Sequence, residues 1–391
     1  MVPERQLSRR EFLQVSSSMA IAGLPGAGTL LRPEDEIRFR KTVIDARFVA
    51  EGVAVADVNR DGHLDIVAGN IWYEAPHWTP HEIAPFQFVN PATGYSNCFN
   101  MWMDDLDHDG WPDQIVIGMP GERCYWRQNS RDPKRPWIEH PIWRSACDES
   151  PLYVDLFGDG RRVLIMGFDD EYLAWFEPDS NPFAEWKCHI VSAKKGPGSQ
   201  RYCHGLGIGD INGDGMNEIL TNEGYYVRTS RTTKTDWRFV PADLGQPCAH
   251  IHVLPSRHRG KLPMVLSSAA HERGVWIHEQ IRKDVFVHHA IDDSISQTHS
   301  LQLAKLRRNG SWNLITGKRY FAHGPGKDPG SMEPVVLVRY EQNPHDEMHW
   351  VKHVIDADSG VGTQFVVQQL ERHNKPAVVI SNKKGVFLFE S

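Results

Sequence analysis

No run of apolar residues in this 391-residue sequence reaches the roughly 18 that cross a bilayer as a helix. No block of basic residues interrupts it, and 43 Lys and Arg stand against 50 Asp and Glu, for a formal net charge of −7. Nucleic-acid binding needs a basic patch or stripe, so that partner class is excluded together with an integral membrane segment. The six cysteines are scattered without any CxxC spacing, which removes the zinc-ribbon and thioredoxin-like readings. What the sequence does contain is 32 glycines, 25 prolines and 13 tryptophans. That means many turns and many aromatic anchors, short of the Gly and Pro content of roughly 25–30% that marks disorder. A turn-rich globular protein remains.

The first thirty or so residues stand apart. Ser8-Arg9-Arg10-Glu11-Phe12-Leu13 is a twin-arginine motif, followed by an uncharged, weakly apolar stretch from Gln14 to Leu31. That order reads as a bacterial Tat export signal over residues 1–31, which assigns residues 32–391 to the folded domain and the protein to the periplasm or the cell exterior.

The folded part repeats itself. Asp57, Asn59, Asp61, Gly62 and Asp65 form an acidic loop that recurs as Asp105, Asp107, Asp109, Gly110 and Asp113, and as Asp210, Asn212, Asp214, Gly215 and Glu218. A fourth copy, Asp155 to Gly160, is worn, with Phe157 at its third position. Each loop precedes a short strand-like run ending in a small residue: Ile66–Gly69, Ile115–Gly118, Leu164–Gly167 and Ile219–Asn222. The same run recurs without the acidic loop at Val265–Ser268, Leu314–Gly317 and Val378–Ser381. Seven units emerge, about 50 residues each, a repeat length typical of propeller blades.

A second pattern keeps the same count. An aromatic residue, then His three on, then Ile or Val occurs at Trp78/His81/Ile83, Trp137/His140/Ile142, Trp186/His189/Val191, Phe286/His289/Ile291 and Trp350/His353/Ile355. Phe39/Thr42/Ile44 and Trp237/Val240 are weaker copies. With an aromatic strand between the two patterns, each unit holds four short strands, which predicts an all-β, seven-bladed β-propeller of four-stranded antiparallel blades. The chain enters on a fourth-strand pattern, Phe39–Ile44, and ends on a third-strand pattern, Val386–Glu390. The N-terminal strand should therefore close the last blade and leave no open edge.

The acidic loops resemble the FG-GAP/VCBS repeats of integrin-like propellers, and the resemblance covers nearly all of residues 32–391. Oxygen donors at positions 1, 3, 5 and 9 around a turn glycine suit Ca²⁺. The expected ligands are Asp57, Asn59, Asp61 and Asp65; Asp105, Asp107, Asp109 and Asp113; and Asp210, Asn212, Asp214 and Glu218. These three structural calcium sites staple the first hairpin of each unit.

Function is expected on the opposite face, where the connection into each innermost strand surrounds the channel mouth. Counting back from the loops puts Glu51, Phe99, Glu149, His204, Ala249, His299 and Thr363 at equivalent positions, with His250 one residue on. The next turns of the same sector add His271, Arg273, Lys318, Arg319, Tyr320 and His323, and the third unit adds Asp169. The in-register His81, His140, His189, His289 and His353 read instead as architectural. Cys98, Cys147, Cys203 and Cys248 fall in four successive connections of this face; an oxidising compartment permits disulfides there, with the pairing left open.

The runs Thr298-His299-Ser300-Leu301, Thr316 to His323 and Asp328-Pro329-Gly330 resemble the propeller domain of aldos-2-ulose (1,5-anhydrofructose) dehydratases. That resemblance implies a lyase that eliminates water from a keto-sugar or keto-glycoside. Such β-elimination needs a base, an acid and positive charge for the developing enolate. His204 or His299 is the expected base, Tyr320 or His323 the acid, and Lys318 and Arg319 the enolate stabilisers. Glu51, Glu149, Asp169, His250, His271 and Arg273 are expected to bind the substrate. The central pocket also has donors for an additional divalent metal, Mg²⁺ or Zn²⁺. A non-enzymatic FG-GAP binding or adhesion scaffold and a polysaccharide lyase remain as alternatives, since fold does not decide function.

Overall fold

The computed structural model describes residues 37–307, 310–370 and 376–391, so the twin-arginine segment lies outside the described residues. Arg38–Ser391 is one compact unit. It is an all-β propeller of four-stranded antiparallel blades, and no helix occurs among the described residues.

The first blade illustrates the rest: Ala54–Ala56, Asp65–Ala68, Ile71–Glu74 and Thr79–Glu82 follow each other as an antiparallel meander. Five sheets have four strands. A sixth has eight, because two antiparallel four-stranded halves meet through a parallel pairing of Leu206–Gly209 with His250–Leu254. Glycine makes that pairing feasible. A Cβ on Gly207 would come within 2.2 Å of the Ile251 carbonyl oxygen, and one on Gly209 within 2.5 Å of Val253 Cβ. With no side chain in the way, the two backbones approach to ladder distance.

The N-terminal strand Arg40–Asp45 pairs antiparallel with Gly385–Glu390 in the sheet that also holds Pro376–Asn382 and Phe365–Gln369. Both ends of the folded unit are thereby stitched into one blade. The joint is reinforced by Lys41, whose Nζ lies 3.0 Å from Asp356 and 4.8 Å from the Phe387 ring centroid.

The core is spread between sheets. Trp126, Ile115 and Ile142 of one sheet pack against Leu164, Phe176 and Trp186 of the next, and Trp175 with Ile165 packs against Ile219 and Tyr226. Each buried indole removes roughly 150–250 Å² from water. The repeated histidines belong to this architecture. His81, His140 and His189 lie with ring centroids 4.4, 4.5 and 3.8 Å from Trp72, Trp126 and Trp175, opposite them in the ladder. His189 and His289 also meet Glu177 and Glu279 at 3.1 and 3.2 Å.

The acidic loops are tight turns at one end of the blades. In all four, the first-position aspartate accepts the amides of positions 5 and 6: Asp57 from Asp61 and Gly62, Asp105 from Asp109 and Gly110, Asp155 from Asp159 and Gly160, and Asp210 from Asp214 and Gly215. Position 6 takes φ between 80° and 90° at Gly62, Gly110, Gly160 and Gly215, the left-handed region that glycine enters without strain. The ninth-position carboxylates Asp65, Asp113 and Glu218 are fully buried and accept the amides of Val58, Leu106 and Ile211. In the worn copy, Asp159 is already neutralised by Arg161 at 3.0 Å and Lys234 at 2.7 Å.

Candidate functional site

The opposite face gathers a histidine cluster from three separate connections. His204 precedes the innermost strand Leu206–Gly209, His271 sits in the turn before Arg273–Arg282, and His299 precedes Leu301–Ala304. Their ring centroids lie 4.8 Å (His204–His271), 4.6 Å (His271–His299) and 5.6 Å (His204–His299) apart. His204 and His299 are buried; His271 is partly open.

Backbone contacts orient two of these rings in the same way. His204 Nδ1 lies 2.8 Å from the Tyr202 carbonyl oxygen and His299 Nδ1 3.4 Å from that of Gln297, in each case two residues back. A proton on Nδ1 leaves the lone pair on Nε2. The Nε2 atoms of His204 and His271 face each other at 3.2 Å, and His299 Nε2 is buried without any hydrogen-bond partner. One ligand nitrogen from each of the three rings falls within 4.8 Å of the others. Zn–N bonds of about 2.0–2.1 Å in a tetrahedron put ligand nitrogens about 3.3 Å apart. His204 and His271 stand at that spacing and His299 lies within 4.8 Å, so the trio could hold a transition ion, and three imidazoles suit Zn²⁺ far better than the oxygen-seeking Mg²⁺.

Charges surround the cluster. Glu149 Oε2 lies 3.4 Å from His204 Nε2, too long for a good hydrogen bond, and 3.5 Å from Arg319. Arg319, almost fully buried, also meets the completely buried Glu51 at 3.5 Å. Burial works against the Glu149 carboxylate, but His204 and Arg319 outweigh it and hold the group down at about 2. Burial likewise opposes a charged His204, yet Glu149 raises its pKa. His271 is pushed down to about 4 by burial and by its histidine neighbours, and burial together with Arg319 drives His299 well below the usual range. Three imidazoles this close cannot all be protonated.

Beside the cluster opens a cavity of about 320 Å³, lined by Tyr95, Phe99, Met119, Glu149, Tyr202, His271, Arg319, Ala322 and His323. His323, half-exposed on its wall, stacks on His271 with centroids 4.5 Å apart, and its Nδ1 is held by Asp328 at 2.8 Å. Lys383 stands behind, its Nζ donating to the Phe321 carbonyl oxygen at 3.2 Å and lying 4.1 Å from the Tyr95 ring centroid.

Of the residues singled out in the sequence, the structure brings together Glu51, Glu149, His204, His271, His299, Arg319 and His323. Five others are directed elsewhere. Lys318 is buried with its Nζ on the Ser331 carbonyl oxygen at 2.9 Å, because successive residues leaving a strand point to opposite sides and Arg319 takes the channel side. Tyr320 packs on Phe321, outside the cavity lining. His250, one residue beyond the channel register, is buried in the strand paired with Leu206–Gly209. Arg273 is bound by Glu333 and the Ser294 carbonyl, and Asp169 by Arg144 and Ser145. His252, two residues on, spends its Nε2 on the Leu301 carbonyl at 2.9 Å. All six cysteines are free thiols. Tyr95, Met119, Tyr202 and Lys383 escaped the sequence reading, although Met119 and Lys383 stand one and two places past the small residue ending a run, as Lys318 and Arg319 do, and Tyr202 stands two before His204, so the repeat register could have found these three.

Comparison with solved structures agrees on the fold. The BBS1N structure in complex with ARL6DN, soaked with lead, aligns over 90% of this chain and 97% of that one with a TM-score of 0.55 and 10% identity. Its mercury-soaked counterpart aligns over the same shares at 0.52 and 10% identity. YCF48 from Cyanidioschyzon merolae covers 90% and 98% at 9% identity with a TM-score of 0.45, too low to carry an argument. Identities at this level speak to a β-propeller fold and to nothing finer. No protein-family model matches the chain, and no curated protein matches it significantly.

Proposed function

We propose that this propeller is a metal-assisted carbon–oxygen lyase that eliminates water from a keto-sugar or keto-glycoside in the histidine cavity. The observation that carries the reading is the convergence of His204, His271 and His299 beside Glu149 and Arg319, on a cavity that also presents the His323–Asp328 pair. His204, His271 and His299 would hold the ion through one nitrogen each. Bound there, Zn²⁺ would polarise a substrate carbonyl and stabilise the negative charge of an enolate. His323, oriented by Asp328 through Nδ1, keeps Nε2 free to take the proton next to the carbonyl and to return it to the departing hydroxyl. Arg319, fixed between Glu51 and Glu149, adds a buried cation to the wall. A volume of about 320 Å³ is near the lower end of ligand pockets, which favours a small saccharide over a polymer groove.

Three further points belong to the same reading. Counting the halves of the eight-stranded sheet as separate blades makes seven. Calcium would occupy the acidic loops of the first, second and fourth blades; support is best in the second, where one carboxylate oxygen each from Asp105, Asp107 and Asp113 falls within 4.8 Å of the others. The twin-arginine motif supports export.

The test is to incubate the purified protein with 2- and 3-keto-sugars and their glycosides while recording enone absorbance. Turnover that a chelator suppresses and Zn²⁺ restores is expected. No absorbance with any substrate, from a preparation that also retains no transition metal, would contradict the reading.

A further inference from the structure

We infer that Tyr202 is a stacking platform for a second sugar ring, so that the cavity's substrate is a keto-glycoside carrying another saccharide rather than a free keto-monosaccharide. The chemistry rests on the lyase reading above; the binding does not.

Tyr202 is an unusual residue for its place. Its backbone sits at φ 64°, a region that bulky residues rarely adopt, and the residue is 46% exposed on the cavity wall. The left-handed backbone belongs to the repeat, since Gln297, two residues before His299, sits at φ 52°; what sets Tyr202 apart is that Gln297 is fully buried and Tyr202 is not. An aromatic residue left exposed on a cavity wall, where its repeat counterpart is polar and buried, points to a ligand.

The backbone that carries the ring is held on both sides. The Tyr202 amide donates to the Cys147 carbonyl oxygen at 2.9 Å, and its carbonyl accepts from His204 Nδ1 at 2.8 Å. The Arg201 guanidinium lies 5.0 Å from the ring centroid. Arg201 is itself pinned by Nε on the Pro120 carbonyl oxygen at 2.7 Å and by its amide on Asp170 at 2.8 Å. Gly121 leaves the space for this, since a Cβ there would come within 2.6 Å of Arg201 Nε. A half-exposed tyrosine gives large amphipathic contact area at little entropic cost. The apolar C–H face of a pyranose matches such a ring, and hydroxyls at its edge can turn to the polar wall. The reacting ring belongs at His271 and His323, on another part of the cavity wall, so a ring over Tyr202 would be a neighbour in the same glycoside.

The test titrates glucose, maltose, cellobiose and trehalose calorimetrically into the wild type, Tyr202→Phe, Tyr202→Ala and Tyr202→Asn. Asparagine suits the left-handed backbone, so that variant separates ring loss from misfolding. At least one disaccharide is expected to bind the wild type about tenfold more tightly than glucose, with the preference kept by Phe and lost by Ala and Asn. Disaccharides binding no better than glucose, or a preference that survives in the Asn variant, would overturn the inference. Turnover of 3-keto-glucose against the matching 3-keto-disaccharides separates the two claims. A Tyr202-dependent binding preference without any turnover sinks the lyase reading and leaves the platform standing. Turnover with equal kcat/KM for both sugars and no binding preference does the reverse.

Discussion

His204 and His271 hold their Nε2 atoms 3.2 Å apart although 67 residues separate them in the chain. The parallel joint between Leu206–Gly209 and His250–Leu254 brings their two strand sets together and so fixes that approach. Two imidazoles at this distance share one proton or one metal ion, and charging both is strongly disfavoured. The propeller supplies rigid strand ends, and the chemistry is carried by the connections that leave them.

That joint depends on a bare backbone. Gly207→Ala is expected to lower stability by at least about 1–3 kcal/mol, because the new Cβ meets the Ile251 carbonyl oxygen, which cannot swing aside as a side chain would. Urea denaturation would measure it. An unchanged midpoint would mean that the two strands do not pair in solution.

Acid should cost the fold the contribution of two buried histidines. Burial depresses His250 and His278 to about 3, helped by the neighbouring His252 and His288. Both are neutral in the folded chain, whereas their unfolded counterparts titrate near 6.5. Above that pH neither state gains protons, and stability is full. As pH falls from about 6.5 towards 3 the unfolded state takes up protons that the folded state refuses. Stability then drops by as much as about 1.4 kcal/mol per pH unit for each group. Urea midpoints at pH 7.5 and pH 5 should differ, and His278→Gln should reduce the difference. Burial raises Asp148 to about 7, which acts in the opposite sense over this window, so the contrast of wild type with His278→Gln decides: the same pH dependence in both would show that His278 is not buried neutral.

Chelation should lower the melting temperature, since an ion bound only by the folded state at a hundred times its Kd contributes about 2.7 kcal/mol. Asp107→Ala is expected to remove one equivalent of calcium. Asp159→Ala should remove none, because Lys234 and Arg161 already occupy that carboxylate. Calcium-free protein with an unshifted melt would contradict both.

The propeller was legible because its signals are periodic. Trp72 with His81 and Trp175 with His189 mark facing strands, and Gly62 and Gly110 mark the turns. The entry of the chain on the pattern of Phe39–Ile44 placed the N-terminal strand beside the C-terminal one, where Arg40 now faces Glu390. Register counting reached Glu51, Glu149, His204 and His299 for the same reason. It stopped where the repeat stops. Lys318 and Arg319 are adjacent in sequence, and only the geometry of the strand end sends one to the channel and the other to Ser331. Tyr95 lies on a connection without a repeat pattern, and Tyr202 shares the place of Gln297 in the repeat but not its burial, so only tertiary structure shows both at the cavity. The parallel joint was equally hidden, because the bare backbone at Gly207 and Gly209 becomes a contact surface only once the two strands meet.

The most direct test is the turnover of His323→Ala in the enone assay, with its thermal melt recorded alongside. His323 lies on the cavity wall, half-exposed and held by a single carboxylate, so its removal should leave the melting temperature within a few degrees. Loss of the group that moves the proton should cut kcat by about 100-fold or more. Full activity, or a loss explained by unfolding alone, would contradict the assignment of this cavity as the catalytic site.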